Sequence, residues 1–252
     1  MRTARFRKSE SPMLVEIRSR RPQDFANENT AIGRMVIARH HELPTRMVDV
    51  TSNPLIALFH AVSEAEHANN GRVHVFVLPQ SMVKPFNSDT VSIVANFARL
   101  PRGEQNLLLG KTKEDTQNDV KPSGPPRNGP NRYQATLEHL YQLIQEEKPS
   151  FAERIDPRDF LRVFVVEPQR SFERLRAQSG AFLLSAFHDR YDEKSIRKWN
   201  SHIPVYHHYV LSVPARAKEA IRDELTMANI TRENLFPSLE ETARAIRSRH
   251  NA

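Results

Sequence analysis

A chain of 252 residues, 38% of them hydrophobic, is long enough to bury a sizeable core, and its formal charge of +7 favours anionic partners: nucleic acid, a phosphorylated ligand or a dinucleotide. The absence of cysteine excludes disulfides, thiolate nucleophiles and Cys-ligated zinc. No apolar run reaches the roughly eighteen residues of a membrane span, and the basic start Met1 to Lys8 leads into Ser9-Glu10-Ser11-Pro12 rather than an apolar stretch, so a soluble, cytoplasmic protein with neither span nor signal peptide is expected.

Further basic residues, Arg18, Arg20 and Arg21 near the start and Arg244, Arg247 and Arg249 near the end, come without RNA-binding aromatics or zinc-finger spacing. They read first as a solvated surface. From Glu28 to His41 the residues Ile32, Met35 and Val36 follow a helical period, although Gly33 weakens that helix. Arg46 to Val50 is a short β-branched run, and Asn53-Pro54 fits an N-cap and first helical position, opening a helix through Leu55, Leu58, Phe59 and Val62. Arg72 to Leu78 is apolar on both alternating faces, which predicts a central strand. Lys111 to Arg132 holds only Val120 as a large apolar residue and predicts a flexible insertion over 111–132.

Leu137, Leu140, Tyr141 and Ile144 then mark an amphipathic helix with an acidic end at Glu146 and Glu147. Strands are predicted over Arg162 to Glu167, Ala181 to Phe187 and Val205 to Leu211, and a helix from about Ala215 to Ala228. Ser238 with Glu241 is a capping box for the last helix. This mixture predicts α+β: a single domain over 1–252 with a mixed, mainly antiparallel central sheet flanked by helices.

The densest polar chemistry lies between His40 and Ala61, where two imidazoles, a guanidinium, a carboxylate and several hydroxyl and amide groups surround a short apolar run. That stretch resembles the FRG domain family, whose pattern reads approximately Gln-His-His-Gly-Leu-Pro-Thr-Arg-Leu-Leu-Asp-Trp-Thr, then Ser-Pro or Asn-Pro and an Ala-Leu-Phe-Phe-Ala helix. His40, His41, Leu43, Pro44, Thr45, Arg46, Asp49, Thr51, Pro54, Ala57 and Leu58 match it. Later, Arg174, Gln178, Gly180, Ala181 and Phe182 look like the family's Arg, Gln-x-Gly and Phe element, and Ile230, Leu235, Phe236, Pro237 and Leu239 look like its Leu-Phe-Pro-x-Leu close. Phe6-Arg7-Lys8 stands where the family has Phe-Arg-Gly. Glu42 replaces the usual Gly and Val50 the usual Trp, and the first of these changes is expected to alter the turn.

The family's motif order is similar to that of NAD-dependent ADP-ribosyltransferases, and an ADP-ribosyltransferase-like fold follows from that likeness as an expectation. The resemblance implies a nucleotide- or NAD-directed enzyme acting as a toxin or defence effector in conflict or stress, with NAD as substrate and a protein or nucleic-acid acceptor. Cleaving the nicotinamide bond develops positive charge on the ribose, which a carboxylate can stabilise while arginine neutralises the pyrophosphate. His41, Arg46, Asp49 and Gln178 are the catalytic candidates on this reading. Arg7, His40, Thr45, Thr51, Ser52, Arg174 and Phe182 are the cofactor-binding candidates. Gln178 stands where the reacting-centre glutamate would be sought, no spacing singles out Glu167, Glu173 or Asp189, and Asp49 is the other carboxylate that could serve.

The bland alternatives are an Arg46–Asp49 pair, a Ser52 helix cap and a histidine satisfying a buried carbonyl. A metal site of His40, His41 and Asp49 is disfavoured because adjacent helical residues diverge by about 100°, and no resident metal is expected. His207 and His208 face opposite sides of a strand, so at most one could join such a site. A non-catalytic nucleotide- or nucleic-acid-binding module is the competing reading. No Gly-rich phosphate loop or nucleophile elbow is present.

Overall fold

The structure is a computed structural model. It describes residues 4–63, 69–117, 132–152, 155–167, 169, 173–188, 190–198 and 206–250, without the side chains of 4–8, 248 and 249. In chain order the elements are α1 (Ala4–Arg20), α2 (Ala31–His40), β1 (Met47–Thr51), α3 (Pro54–Ser63), β2 (Gly71–Val77), β3 (Val83–Pro85), α4 (Asp89–Phe97), α5 (Arg102–Gln117) and α6 (Arg132–Gln145). There follow β4 (Val163–Glu167), α7 (Glu173–Ala177), β5 (Gly180–Ser185), α8 (Glu193–Arg197), β6 (His207–Val213), α9 (Lys218–Met227), α10 (Arg232–Leu235) and α11 (Leu239–His250). The α+β class expected from the sequence is observed. Among the described residues no helix is long and apolar enough to cross a membrane.

Two compact units are built from interleaved segments. The first takes Met1–Val48, Pro79–Val166 and Phe182–Tyr206; the second takes Asp49–Leu78, Glu167–Ala181 and His207–Ala252.

The larger sheet has the order β1-β5-β4-β3, with β4 and β5 antiparallel and Val163 opposite Ser185. The first unit's core gathers Phe97 on α4, Leu108 on α5, Leu140 and Ile144 on α6, and Phe160 ahead of β4, all fully buried. Helix α2 starts where Thr30 Oγ1 accepts from Gly33 N, while the Glu28 carboxylate accepts from both Thr30 N and Thr30 Oγ1. A Cβ on Gly33 would lie 2.0 Å from the Glu28 carboxylate carbon, so the glycine that weakens this helix in the sequence makes room for its cap. At the other end Leu43 N donates to Ala38 O and Glu42 N to Arg39 O, with Glu42 at φ 63°. This is the left-handed helix stop that glycine usually occupies, and here glutamate holds it. The turn expected to change with the loss of glycine has been kept, with the strain placed on Glu42.

Two corrections arise here. The insertion expected over 111–132 begins as helix: 111–117 continue α5, where Lys111 pairs with Asp115 at 2.7 Å, and Arg132 opens α6. The remaining residues of that expectation, 118–131, lie outside the described ones. The strand expected to be central is instead half of a two-stranded antiparallel ribbon, β2 with β6, Val75 opposite Tyr209. Val75, Val77, Tyr209 and Leu211 share one face and remain 36–56% exposed. Their β-branched and aromatic character suits a pleated strand without requiring burial on both faces.

The ribbon's inner end joins the second unit's core, where Val213 packs with Ile56, Phe59 and Val62 of α3, Leu225 of α9 and Leu235 of α10. A Cβ on Gly71 would come within 2.3 Å of the Ala61 carbonyl oxygen, so glycine is what lets β2 approach α3. Asn53 Oδ1 accepts from Leu55 N at 2.9 Å, making the Asn-Pro start of α3 the cap its sequence predicts.

Replacing Glu42 with Gly removes the side-chain cost of the left-handed backbone, roughly 1 kcal/mol. Glu42→Gly is expected to raise the thermal midpoint by about 2–4 °C, read by calorimetry; an unchanged or lower midpoint would contradict the assignment of strain to this residue.

Candidate functional site

Arg46 lies in the first unit with its side chain 1% exposed, and it faces Glu10 of α1, which is equally buried. Arg46 Nη2 and Nε donate to Glu10 Oε2 at 2.6 and 3.1 Å, and the Arg46 backbone N donates to Glu10 Oε1 at 2.6 Å. Nη1 donates to Ala186 O at 3.1 Å, and Nη2 also reaches Gln105 Oε1 at 3.3 Å, while the Phe97 ring lies 5.3 Å away. Gln105 is itself held by donation to Leu100 O. The bland alternative of an Arg46–Asp49 pair gives way to an Arg46–Glu10 pair: burial leaves a guanidinium stable only where its donors meet acceptors, and Glu10 satisfies it through both oxygens.

In the second unit three distant segments meet. Thr51 Oγ1 donates to Gln178 O at 2.8 Å and accepts from Asn53 N at 3.0 Å, and Ser52 N donates to Ser179 O. Gln178 Nε2 donates to Leu235 O at 2.9 Å. Next along, Phe236 receives the Arg174 guanidinium 4.5 Å from its ring centroid and that of Arg232 at 5.1 Å, with the His60 ring edge-on at 5.9 Å. Arg232 is committed to Glu241 through Nε and Nη2 at 2.8 and 2.9 Å. Half-buried Arg174 has no carboxylate partner among the described residues.

His60 keeps much of its surface open to solvent, yet its ring also packs edge-on against Phe59 at 5.7 Å. Loss of water on that side pulls its pKa below the ordinary histidine value, the Arg174 charge adds to the shift, and Asp49 opposes it.

The remaining candidates fall as follows. His40 and His41 are exposed at the end of α2, ring centroids 5.3 Å apart and edge-on. Thr45 is buried, its Oγ1 accepting from Met47 N at 3.4 Å, and Phe182 is 2% exposed within the first unit's core. Asp49 and Ser52 are exposed residues of the second unit. Arg7 lies on α1, and its side chain, like Asp189, lies outside the described residues. Ser52 leaves the capping of α3 to Asn53. Among the described residues no group of three or more His, Asp or Glu side chains is placed to hold a metal ion.

Sequence reasoning missed Glu10, Gln105 and His60. Nothing local marks the first two, since their roles depend on Arg46 reaching them across 36 and 59 residues. His60 carried a signal, a polar ring directly after core Phe59.

On the ribbon, His74 Nδ1 and His208 Nε2 lie 2.9 Å apart with their ring planes 11° from parallel, and Phe76 stacks on His208 at 4.7 Å. Such a pair shares one proton between the two nitrogens, and two full positive charges would break it. Burial first, then the charges of His208 and Arg72, pull the His74 pKa below its ordinary value.

The family model of the FRG domain matches residues 1–70. That segment contains Glu10, Arg46, Thr51 and His60, and it bears out the resemblance carried by His40 to Ala61; the Arg174 and Leu235 motifs lie beyond it. No curated protein and no solved structure matches the chain.

Two outcomes follow. Glu10→Ala leaves a buried guanidinium without its counter-charge and should cost about 3–5 kcal/mol in chemical denaturation; a loss under about 1 kcal/mol would contradict the role given to the pair. Because His74 holds a lowered pKa in the folded chain, the unfolded chain binds the proton first. The stability it contributes is present above the ordinary histidine value and is lost as pH falls through the lower one. Amide exchange in the ribbon should therefore accelerate as pH drops below about 6.5, after correction for intrinsic exchange, and His74→Gln should flatten that dependence.

Proposed function

We propose that this chain is a nucleotide- or NAD-directed enzyme resembling ADP-ribosyltransferases, acting as an effector in conflict or stress, with the ligand held by the second unit. The observation that carries this reading is Arg174: a half-buried guanidinium over Phe236, with no carboxylate partner among the described residues, in the unit that also holds Thr51, Gln178 and Asp49. Such a group suits the pyrophosphate of NAD. Asp49 bears on His60 electrostatically and is the carboxylate we assign to a developing positive ribose. Arg46 is a poorer clamp than its place in the motif implies, because its donors are already engaged within the core. His40 and His41, exposed at the C-terminal end of α2 in the first unit, are given no part in holding the ligand.

One feature favours a non-catalytic nucleotide- or nucleic-acid-binding module instead. Gln178 is neutral and its amide is held by the Leu235 carbonyl, so it supplies no negative charge to a reacting centre.

Incubation of the purified chain with labelled NAD and total cell protein or nucleic acid separates the two. The enzyme reading expects nicotinamide release or label transfer, reduced on the order of 10²-fold in Asp49→Asn and lost in Arg174→Ala. Saturable NAD binding without turnover identifies the module. Arg46→Ala is uninformative here, because it removes a core ion pair.

A further inference from the structure

We infer that Arg174, His60 and Phe236 form a receptor for the phosphate portion of a ligand, a pyrophosphate or phosphate ester, in which Phe236 aims the Arg174 guanidinium instead of stacking a base. This rests on the nucleotide reading of the same unit and narrows it to the chemical group recognised.

Two arginines lie over one phenylalanine and meet different fates. Arg232 is neutralised by a two-point pairing with Glu241, itself further held by Arg244 Nη1 at 2.6 Å. Among the described residues the Arg174 guanidinium rests over this ring and meets no side-chain or backbone acceptor. A planar cation with donors in a fork matches two phosphate oxygens, and holding it on a ring beforehand reduces the ordering cost of binding.

Two cations share this ring: with guanidinium carbons at 4.5 and 5.1 Å from the centroid, a nucleobase stacked on the face that either one covers would displace it. Recognition here is therefore ionic, and base identity is left to other contacts.

His60 supplies the second donor. Edge-on to the same ring, it is charged less readily than a free histidine while Arg174 stands unopposed, and a bound anion reverses that balance by offsetting the Arg174 charge. The charged groups bearing on His60 are Arg174 and, with opposite sign, Asp49. Binding should then raise the lowered pKa of His60 and draw a proton onto it, strengthening the site as pH falls below the ordinary histidine value.

The test is a titration of the full chain with sodium pyrophosphate, followed by histidine-ring NMR with the His60 signal assigned through His60→Gln, and by calorimetry in two buffers of different ionisation enthalpy. Expected are saturable binding, a downfield-titrating His60 with proton uptake at pH 6, and affinity about tenfold or more weaker in Arg174→Ala. Arg174→Lys should recover part of it. Arg176→Ala, one turn-neighbour of equal charge, should change little. Unchanged affinity in Arg174→Ala, an equal loss in Arg176→Ala, or a silent His60 at saturation would overturn the inference. Pyrophosphate binding in a chain that never turns over NAD would support this site while removing the enzymatic reading. NAD turnover unaffected by Arg174→Ala would remove this site and leave an enzyme that holds its ligand elsewhere.

Discussion

The buried pairing of Glu10 with Arg46 is the constraint on which the first unit depends. Taking a carboxylate and a guanidinium out of water costs several kcal/mol per ion, and only complete pairing offsets it. Here the offset comes from four segments at once: α1 gives Glu10, α5 gives Gln105, the residue after β5 gives a carbonyl, and Arg46 contributes both side chain and backbone N–H. Because Arg46 immediately precedes β1, the same contacts decide where that strand begins. Met47, the first residue of that strand, is buried, whereas Val48 and Asp49 are both exposed, so burial in β1 does not follow the simple alternation of a pleated strand.

The second unit uses polar groups in two ways. Thr51, the Ser52 amide and Gln178 are spent on tying α3's approach, the turn after α7 and the end of α10 to one another. Such bonds fix geometry and leave little donor capacity for a ligand. Arg174 and His60, resting on the ring that follows Leu235, are the groups whose chemistry the fold leaves available.

Much of the local structure was legible in the chain. The Asn53-Pro54 start of α3, the apolar stripe of α6 and the Ser238 cap of α11 depend on near neighbours, and each forms as its spacing implies. The part of the FRG resemblance carried by the contiguous residues His40 to Ala61 falls within the matched 1–70, while the parts carried by Arg174 to Phe182 and Ile230 to Leu239 lie beyond it. What the sequence did not disclose depends on distance. Arg46 selects Glu10 over the nearer Asp49 because only Glu10 shares its buried surroundings. The apolar run Val73, Val75, Val77 could not announce that a single partner strand would flank it. Glu42 shows the converse: a residue type unsuited to a left-handed turn still takes it, since two backbone bonds at the helix end dictate the path.

The bridge from Thr51 through Gln178 to Leu235 ties together distant parts of the polypeptide, its two bonds joining residues 127 and 57 positions apart. Contacts this remote require closing long loops before they return any free energy. During synthesis the early strand and helix around Thr51 must wait, exposing Ile56 and Phe59, until Leu235 has left the ribosome. Vectorial production therefore supplies the last segment of this unit after that of the first, and a chaperone that shields α3's apolar side would have its opportunity in that interval.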